Sequence, residues 1–102
     1  MLINLNIHYI ECMPAKEQMK AWILNKMKRK RFIGGSHTDI KNLRRGAPPD
    51  LYNQIDDIIK ELVKENMIII KITEYGKQVS LNPKLMKEVN EFIQKFYTEE
   101  VM

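Results

Sequence analysis

The sequence predicts a mostly helical α+β domain, and three features of its middle half lead to that fold class. Two helical segments are joined by a tight turn at Gly46 and Pro48, residue types that end one helix and prepare the first turn of the next. A β-hairpin follows directly, and Asn82-Pro83 then has the composition of another helix start. Two helices, a tight turn and a two-stranded ribbon are the chain order of a winged helix-turn-helix, a three-helix core plus a β-hairpin wing.

Residues 2–10 alternate between apolar and polar side chains. The apolar positions fall on one face under a period of two, and they are Ile3, Leu5, Ile7 and Tyr9. This alternation predicts an extra N-terminal strand. A winged helix does not require a strand at this place. We therefore expect it to pair with the wing sheet or with the same strand of a second subunit, because an unpaired apolar edge promotes aggregation.

The first helix is predicted to begin behind Pro14 and to cover about residues 15–30. Its buried stripe is formed by residues that recur at helical spacing, namely Met19, Trp22, Ile23 and Met27. Trp22 shares this face, which favours a place in the core over a stacking platform for bases. The basic side chains of this helix are expected to lie mostly off the stripe.

Two further helices are predicted around the Gly/Pro turn. The second helix covers residues 38–45, behind a short extended segment at 32–35, and is ended by Gly46. The third helix covers residues 50–66. Its core stripe consists of six apolar residues at helical spacing: Leu51, Ile55, Ile58, Ile59, Leu62 and Val63.

The wing is predicted as strands at residues 67–73 and 78–82 around a turn at 74–77. The first strand is rich in β-branched residues, and Gly76 can adopt the positive φ that a tight hairpin turn requires. A final C-terminal helix is predicted over residues 83–98. Together these elements make a single domain, 1–102, with its core at residues 15–82.

Positive charge is concentrated in one part of the chain. Between Pro14 and Gly46 ten basic residues oppose two acidic ones, a local net charge of +8, whereas the rest of the chain carries −4 and the whole chain +4. A one-sided excess of this size is typical of a surface that binds phosphate backbones. The alternative is a solvated lysine-rich surface. Cations at the end of the first helix also suit the negative end of its dipole.

Several short motifs of this chain resemble those of a group of small archaeal winged-helix proteins that are presumed to bind DNA. The resemblance covers about residues 15–95, and the N-terminal strand is not part of it. The motifs are Gly34-Gly35-Ser36-His37-Thr38, Asn42-Leu43, Gly46, Pro48, and Thr73-x-Tyr75-Gly76-x-x-Val79-Ser80-Leu81-Asn82-Pro83. The resemblance implies a winged-helix fold and a DNA-binding function, as in a transcriptional regulator with double-stranded DNA as its partner.

The candidate nucleic-acid contacts form three groups. Cations on the first two helices are expected to hold the phosphate backbone, and they are Lys28, Arg29, Lys30, Arg31, Lys41, Arg44 and Arg45. The first turns of the third helix are expected to reach base edges through Tyr52, Asn53 and Gln54. The wing tip offers Tyr75 and Lys77 to a groove or backbone.

Each group also has a purely structural interpretation. Asn53 and Gln54 are also ordinary residues of a solvated helix surface. In the structural interpretation of the wing tip, Tyr75 packs on the sheet and the Lys77 side chain is only solvated. His37 precedes the second helix, and a local capping role is favoured over a phosphate contact.

The third helix carries an acidic excess that conflicts with groove binding. Over residues 50–66 five acidic residues oppose two lysines, a net charge of −3. Carboxylates between the two phosphate walls of a major groove reduce affinity. The alternative function is therefore a protein- or RNA-interaction winged-helix module in a larger assembly, with a protein partner bound by the acidic face of helix 50–66.

A homodimer is expected from apolar surface that the core and wing leave uncovered. The expected interface residues lie on the first strand and the last helix: Ile3, Leu5, Ile7, Tyr9, Val89, Phe92, Ile93 and Phe96. Twofold symmetry would cover both elements and place two recognition helices on half-sites of one duplex. The alternative is intramolecular, with the last helix folded back on Trp22 and the strand added to the wing sheet.

Other function classes find no support in the sequence. Gly34-Gly35 has neither of the usual phosphate-loop spacings, so no enzyme is predicted. His8, His37 and Cys12 are too widely spaced for a structural zinc site, and no cofactor is expected. No apolar run approaches the ~20 residues of a membrane span, and the start lacks signal-peptide features. A single cysteine suits a reducing compartment, so a cytoplasmic location is expected.

Overall fold

One long helix forms the first part of the domain. The computed structural model describes the backbone of residues 3–97 and the side chains of residues 16–97. Helix α1 covers Ile3–Arg29, so the predicted strand at 2–10 is wrong from residue 3 onward, and residue 2 lies outside the described chain. The alternation is ambiguous because Ile3, Ile7 and Ile10 also recur at spacings of four and three, which match a helix.

Two expectations that depended on this segment change with it. Pro14 lies inside α1 instead of opening it, where a proline removes one backbone donor. The expected interface positions Ile3, Leu5, Ile7 and Tyr9 lie on the helix, and their side chains are outside the described part. Because the segment is helical, it does not present a strand edge that requires a partner.

A short strand replaces the start of the predicted second helix. Strand β1, Thr38–Asp39, pairs antiparallel with β3, Gly76–Leu81, and only Ile40–Arg44 is helical, as a 3₁₀ segment. Asp39 caps this segment by accepting a hydrogen bond from the Lys41 backbone N–H at 2.9 Å. The helix predicted at 38–45 is therefore shorter and more tightly wound, because pairing with β3 holds its first two residues extended.

Helix α2 follows the turn closely as predicted. Gly46 has a φ of +91°, the left-handed conformation expected after a helix end. A 3₁₀ turn at Pro49–Leu51 leads into α2, Tyr52–Lys64. The centre of its apolar stripe is buried in the core, and the buried residues are Ile55, Ile58, Ile59 and Leu62.

The predicted hairpin is confirmed, with a shorter turn. Strand β2, Ile68–Thr73, pairs with β3 in register from Ile68↔Leu81 to Thr73↔Gly76. The loop between them is therefore Glu74 and Tyr75 alone, and Gly76 has a φ of +106°. The sheet order is β1-β3-β2, which leaves β2 on the edge.

The start of the last helix is also confirmed. The Asn82 side chain accepts a hydrogen bond from the Lys84 backbone N–H at 3.0 Å, and Pro83 occupies the first turn. A 3₁₀ turn at Pro83–Leu85 leads into α3, Met86–Phe96.

Helix α3 packs on α1 within the chain. Val89 is fully buried in the core, so it has no surface to offer a second subunit. Phe92 and Ile93 are partly buried against the same core, and the Phe96 ring lies 4.8 Å from that of Phe92. One face of the last helix therefore packs against the core of its own chain.

The described residues form an α+β domain of three α-helices packed with one three-stranded antiparallel sheet. Helices and strands contribute to one core, which contains Ile23, Leu24, Leu43, Leu62, Leu81 and Val89. Within residues 3–97 no helix combines the length and apolar character of a membrane-crossing segment.

Candidate nucleic-acid interface

The carboxyl end of α1 is tied to the turn that precedes α2. Lys26 is 6% exposed, and its Nζ lies 5.0 Å from the centroid of the Trp22 ring. The same Nζ donates a hydrogen bond to the backbone carbonyl of Arg45. A lysine can bury its aliphatic stem while its ammonium group reaches a polar partner. Lys26 therefore joins the last turns of α1 to the residue before Gly46.

The surroundings of Lys26 are positively charged. Burial lowers the pKa of Lys26, and the nearby charges of Lys30, Arg29 and Arg45 lower it further. We call these four residues the Lys26 cluster. Like charges repel one another, so a polyanion bound beside these cations would relieve the repulsion.

A second group of cations adjoins the cluster. Lys28, Arg29 and Arg31 line a cleft of about 400 Å³ at the end of α1, together with Met86 of α3. Arg29 belongs to both the cleft and the Lys26 cluster, so the two are contiguous. The four cations predicted at 28–31 are all exposed.

Arg44 is not a free cation. Its Nε and Nη2 donate to the two carboxylate oxygens of Asp56 at 3.1 and 2.9 Å, and its guanidinium lies 5.3 Å from the centroid of the Tyr52 ring. Arg44 and Tyr52 are therefore both engaged within the chain, where they join the 3₁₀ segment to α2. Two of the residues on the second helix that were predicted to contact the phosphate backbone, Lys41 and Arg45, are exposed.

Lys20 brings α1 and the acidic face of α2 together. It is 5% exposed, and its Nζ lies 3.3 Å from Glu61 and 3.0 Å from Glu65. Burial alone would lower the pKa of Lys20, but the hydrogen bonds and charges of Glu65 and Glu61 outweigh it, and the pKa is raised. Lys16 lies 2.8 Å from Glu61, and this contact is the main reason that the pKa of Glu61 is lowered.

These ion pairs account for most of the acidic excess on the third helix. Three of its five carboxylates are paired with cations from elsewhere in the chain, namely Asp56, Glu61 and Glu65. The remaining acidic residues, Asp50 and Asp57, are balanced in number by Lys60 and Lys64. The face of the third helix left for a partner is therefore close to neutral.

The first turns of α2 and the wing tip expose the other predicted contacts. Asn53 and Gln54 are exposed, as reading base edges would require. Tyr75 is 81% exposed, so the alternative in which it packs on the sheet is wrong. Lys77 is exposed as well. His37 Nδ1 lies 3.3 Å from Gln78 Oε1 of β3, and the cap of the 3₁₀ segment is Asp39, so the structure shows a tertiary contact of His37 in place of the local capping role that was favoured.

Two relevant lysines were absent from the predicted set. Lys26 stands four residues after Trp22, a spacing at which helical side chains touch, but its contact with Arg45 depends on tertiary structure. Lys60 lines a groove between α2 and the wing together with Lys77. Its position on the helix surface gave no sequence signal for that neighbour.

Within the described part of the chain no group of three or more His, Cys, Asp or Glu residues is arranged to hold a metal ion. Comparison with known proteins finds no family model, no curated protein sequence and no solved structure that matches this chain.

Proposed function

We propose that this chain is a winged helix-turn-helix protein that binds double-stranded DNA and acts as a transcriptional regulator. The observation that carries the proposal is the group of exposed cations at the end of α1 and at Arg45, which line or adjoin one cleft and surround Lys26 beside the turn into α2. The order of α1, the 3₁₀ segment, α2 and the hairpin supports the finer fold assignment. The internal pairing of Asp56, Glu61 and Glu65 supports it further, because it removes most of the charge that would oppose a duplex.

Each element has a distinct task in this proposal. The exposed members of the Lys26 cluster, Arg29, Lys30 and Arg45, hold phosphates together with the neighbouring cations of α1 and position the domain. Asn53 and Gln54 enter the major groove at the start of α2, where an amide side chain can pair bidentately with adenine. Tyr75 and Lys77 place the wing along the backbone or the minor groove.

The proposal is tested by removing two exposed cations of the cluster. Lys30→Gln combined with Arg45→Gln should weaken binding to any duplex sequence and reduce the salt slope of log K by about 2 units. The Arg45 carbonyl that binds Lys26 is part of the backbone and is kept in this variant. Fluorescence anisotropy of a labelled random duplex measures both quantities.

The matched control is Lys64→Gln combined with Lys95→Gln, which removes the same charge from the last turns of α2 and α3. We expect its affinity and salt slope to stay near those of the parent chain. Equal weakening by both double variants would mean that net charge alone drives binding. In that case the Lys26 cluster would not be a binding surface.

A further inference from the structure

A groove with an apolar floor separates α2 from the wing. The groove has a volume of about 270 Å³, and its floor is lined by Ile40, Ile59, Val63 and Ile70. Alternate residues of a strand share one face, so Ile72, 77% exposed, lies on the same face of β2 as Ile70, 37% exposed. The volume lies just below the usual range for small-molecule sites, so the groove fits a small ligand.

Among the residues that line this groove, cations outnumber carboxylates. Four charged residues line it, namely Arg44, Asp56, Lys60 and Lys77. Arg44 and Asp56 neutralise each other through two hydrogen bonds at 3.1 and 2.9 Å. Lys60 and Lys77 remain as two cations with no further carboxylate among the lining residues. Lys77 also pairs across the hairpin with Ile72, which places a cation beside the most exposed isoleucine.

We propose that this groove binds a small amphipathic carboxylate. The apolar tail lies on the isoleucine and valine floor, and the carboxylate lies between the ammonium groups of Lys60 and Lys77. Covering the floor removes apolar surface from water, and the carboxylate supplies the negative charge that the rim lacks. A neutral molecule of the same shape leaves the rim uncompensated, and an ammonium ligand is repelled by it.

Occupation of the groove has a consequence for duplex binding that rests on the proposed function. Lys60 and Lys77 lie on α2 and the wing, the two elements proposed to contact DNA. A bound carboxylate offsets one unit of the positive charge that these two lysines present to a duplex, and it places its negatively charged oxygens between the two elements. The ligand therefore weakens duplex binding, so that occupation of the groove regulates DNA binding negatively.

Octanoate is a suitable probe of the site, with octan-1-ol and octylammonium as neutral and cationic analogues of equal length. Isoleucine-methyl NMR spectra of the full chain report binding directly. We expect octanoate to shift the Ile59 and Ile70 methyl signals saturably, and both analogues to bind more weakly. Lys60→Gln and Lys77→Gln should each weaken octanoate binding by about two- to fivefold and leave octan-1-ol binding unchanged.

The matched control is Lys64→Gln, which removes an exposed lysine one turn further along α2 and outside the groove lining. It should bind octanoate like the parent chain. The proposed site would be overturned if octanoate caused no saturable shifts, or shifts only away from the groove. It would also be overturned if octylammonium caused the same shifts with equal affinity.

The predicted effect of the ligand on duplex binding is tested by a separate measurement. Saturating octanoate should raise the dissociation constant of the random duplex by about two- to fivefold relative to an equal concentration of sodium chloride. Methyl shifts with no change in duplex affinity overturn the regulation and leave the site standing. A chain that binds no duplex without octanoate overturns both the proposed function and this regulation, while the methyl shifts still decide the site.

Discussion

Single residues in this domain show that a charge acquires its role from its partners. Arg44 and Arg45 are adjacent and chemically identical, yet Arg44 is held by Asp56 and Tyr52, whereas Arg45 is exposed beside Lys26. In a bidentate guanidinium–carboxylate pair the charge and two of the hydrogen-bond donors of the arginine are already used, so the arginine contributes little to the binding of an external anion. The predicted basic patch therefore loses Arg44, while the buried Lys26 joins α1 to the turn before α2 through the Arg45 carbonyl.

The Glu61 ion pairs make the stability of the domain dependent on pH. The pKa of Glu61 is lowered below its ordinary value of 4.5, so its contribution is present above pH 4.5 and is lost as the pH falls through the folded-state pKa. Glu61→Gln should therefore be less stable than the parent chain at neutral pH, with a difference that shrinks on acidification. Urea unfolding across this range measures the difference.

A control for this pH dependence is Glu88→Gln, which removes an exposed carboxylate from the first turn of α3. Its stability relative to the parent chain should change much less with pH. A Glu61→Gln difference that stays constant down to the acid limit would show that the ion pairs with Lys16 and Lys20 do not stabilise the fold. The ion pairs of Lys20 depend on pH in the alkaline range. Because the pKa of Lys20 is raised above 10.5, their contribution to stability is fully present below pH 10.5 and is lost as the pH rises through the folded-state pKa.

At the scale of elements, the turns depend on two glycines with positive φ. Gly46 and Gly76 have φ of +91° and +106°, a region where other residues are strained. Gly46→Ala and Gly76→Ala should each lower the free energy of unfolding by about 1–2 kcal/mol. Gly35→Ala is the control, because an added Cβ meets nothing within 4 Å and its φ is not in the positive region. It should be neutral or stabilising by up to ~1 kcal/mol. Equal losses at all three positions in urea unfolding would contradict this assignment.

Local patterns predicted the elements whose causes are local. The stripe of α2, the hairpin around Gly76 and the Asn82-Pro83 helix start each depend on neighbouring residues, and the structure confirms all three. The second helix was predicted incorrectly because β1 is held extended by β3, about forty residues later. The N-terminal strand was predicted incorrectly because the short apolar pattern of residues 2–10 is compatible with both the strand period and the helix period.

At the scale of the whole molecule, charge pairing between elements could not be predicted from the sequence. The net charge of the third helix suggested repulsion from a duplex, but Lys16, Lys20 and Arg44 neutralise much of it from other elements. The candidate interface stays a prediction. Most of its residues are exposed, whereas Arg44 and Tyr52 are engaged within the chain. The homodimer stays a prediction. The first reason for it was the apolar N-terminal strand, which is helical from residue 3 onward. The second was the apolar face of the last helix, from which Val89 is removed because it is buried within the chain.

The most direct test of the central proposal is a salt titration of the parent chain with a random DNA duplex. The Lys26 cluster and its neighbours predict about four to five phosphate contacts, which corresponds to a slope of about −4 in log K against log salt concentration. A steep linear fall of this size would support duplex binding through the cluster. No measurable binding at about 50 mM salt, or an affinity that does not depend on salt, would contradict it.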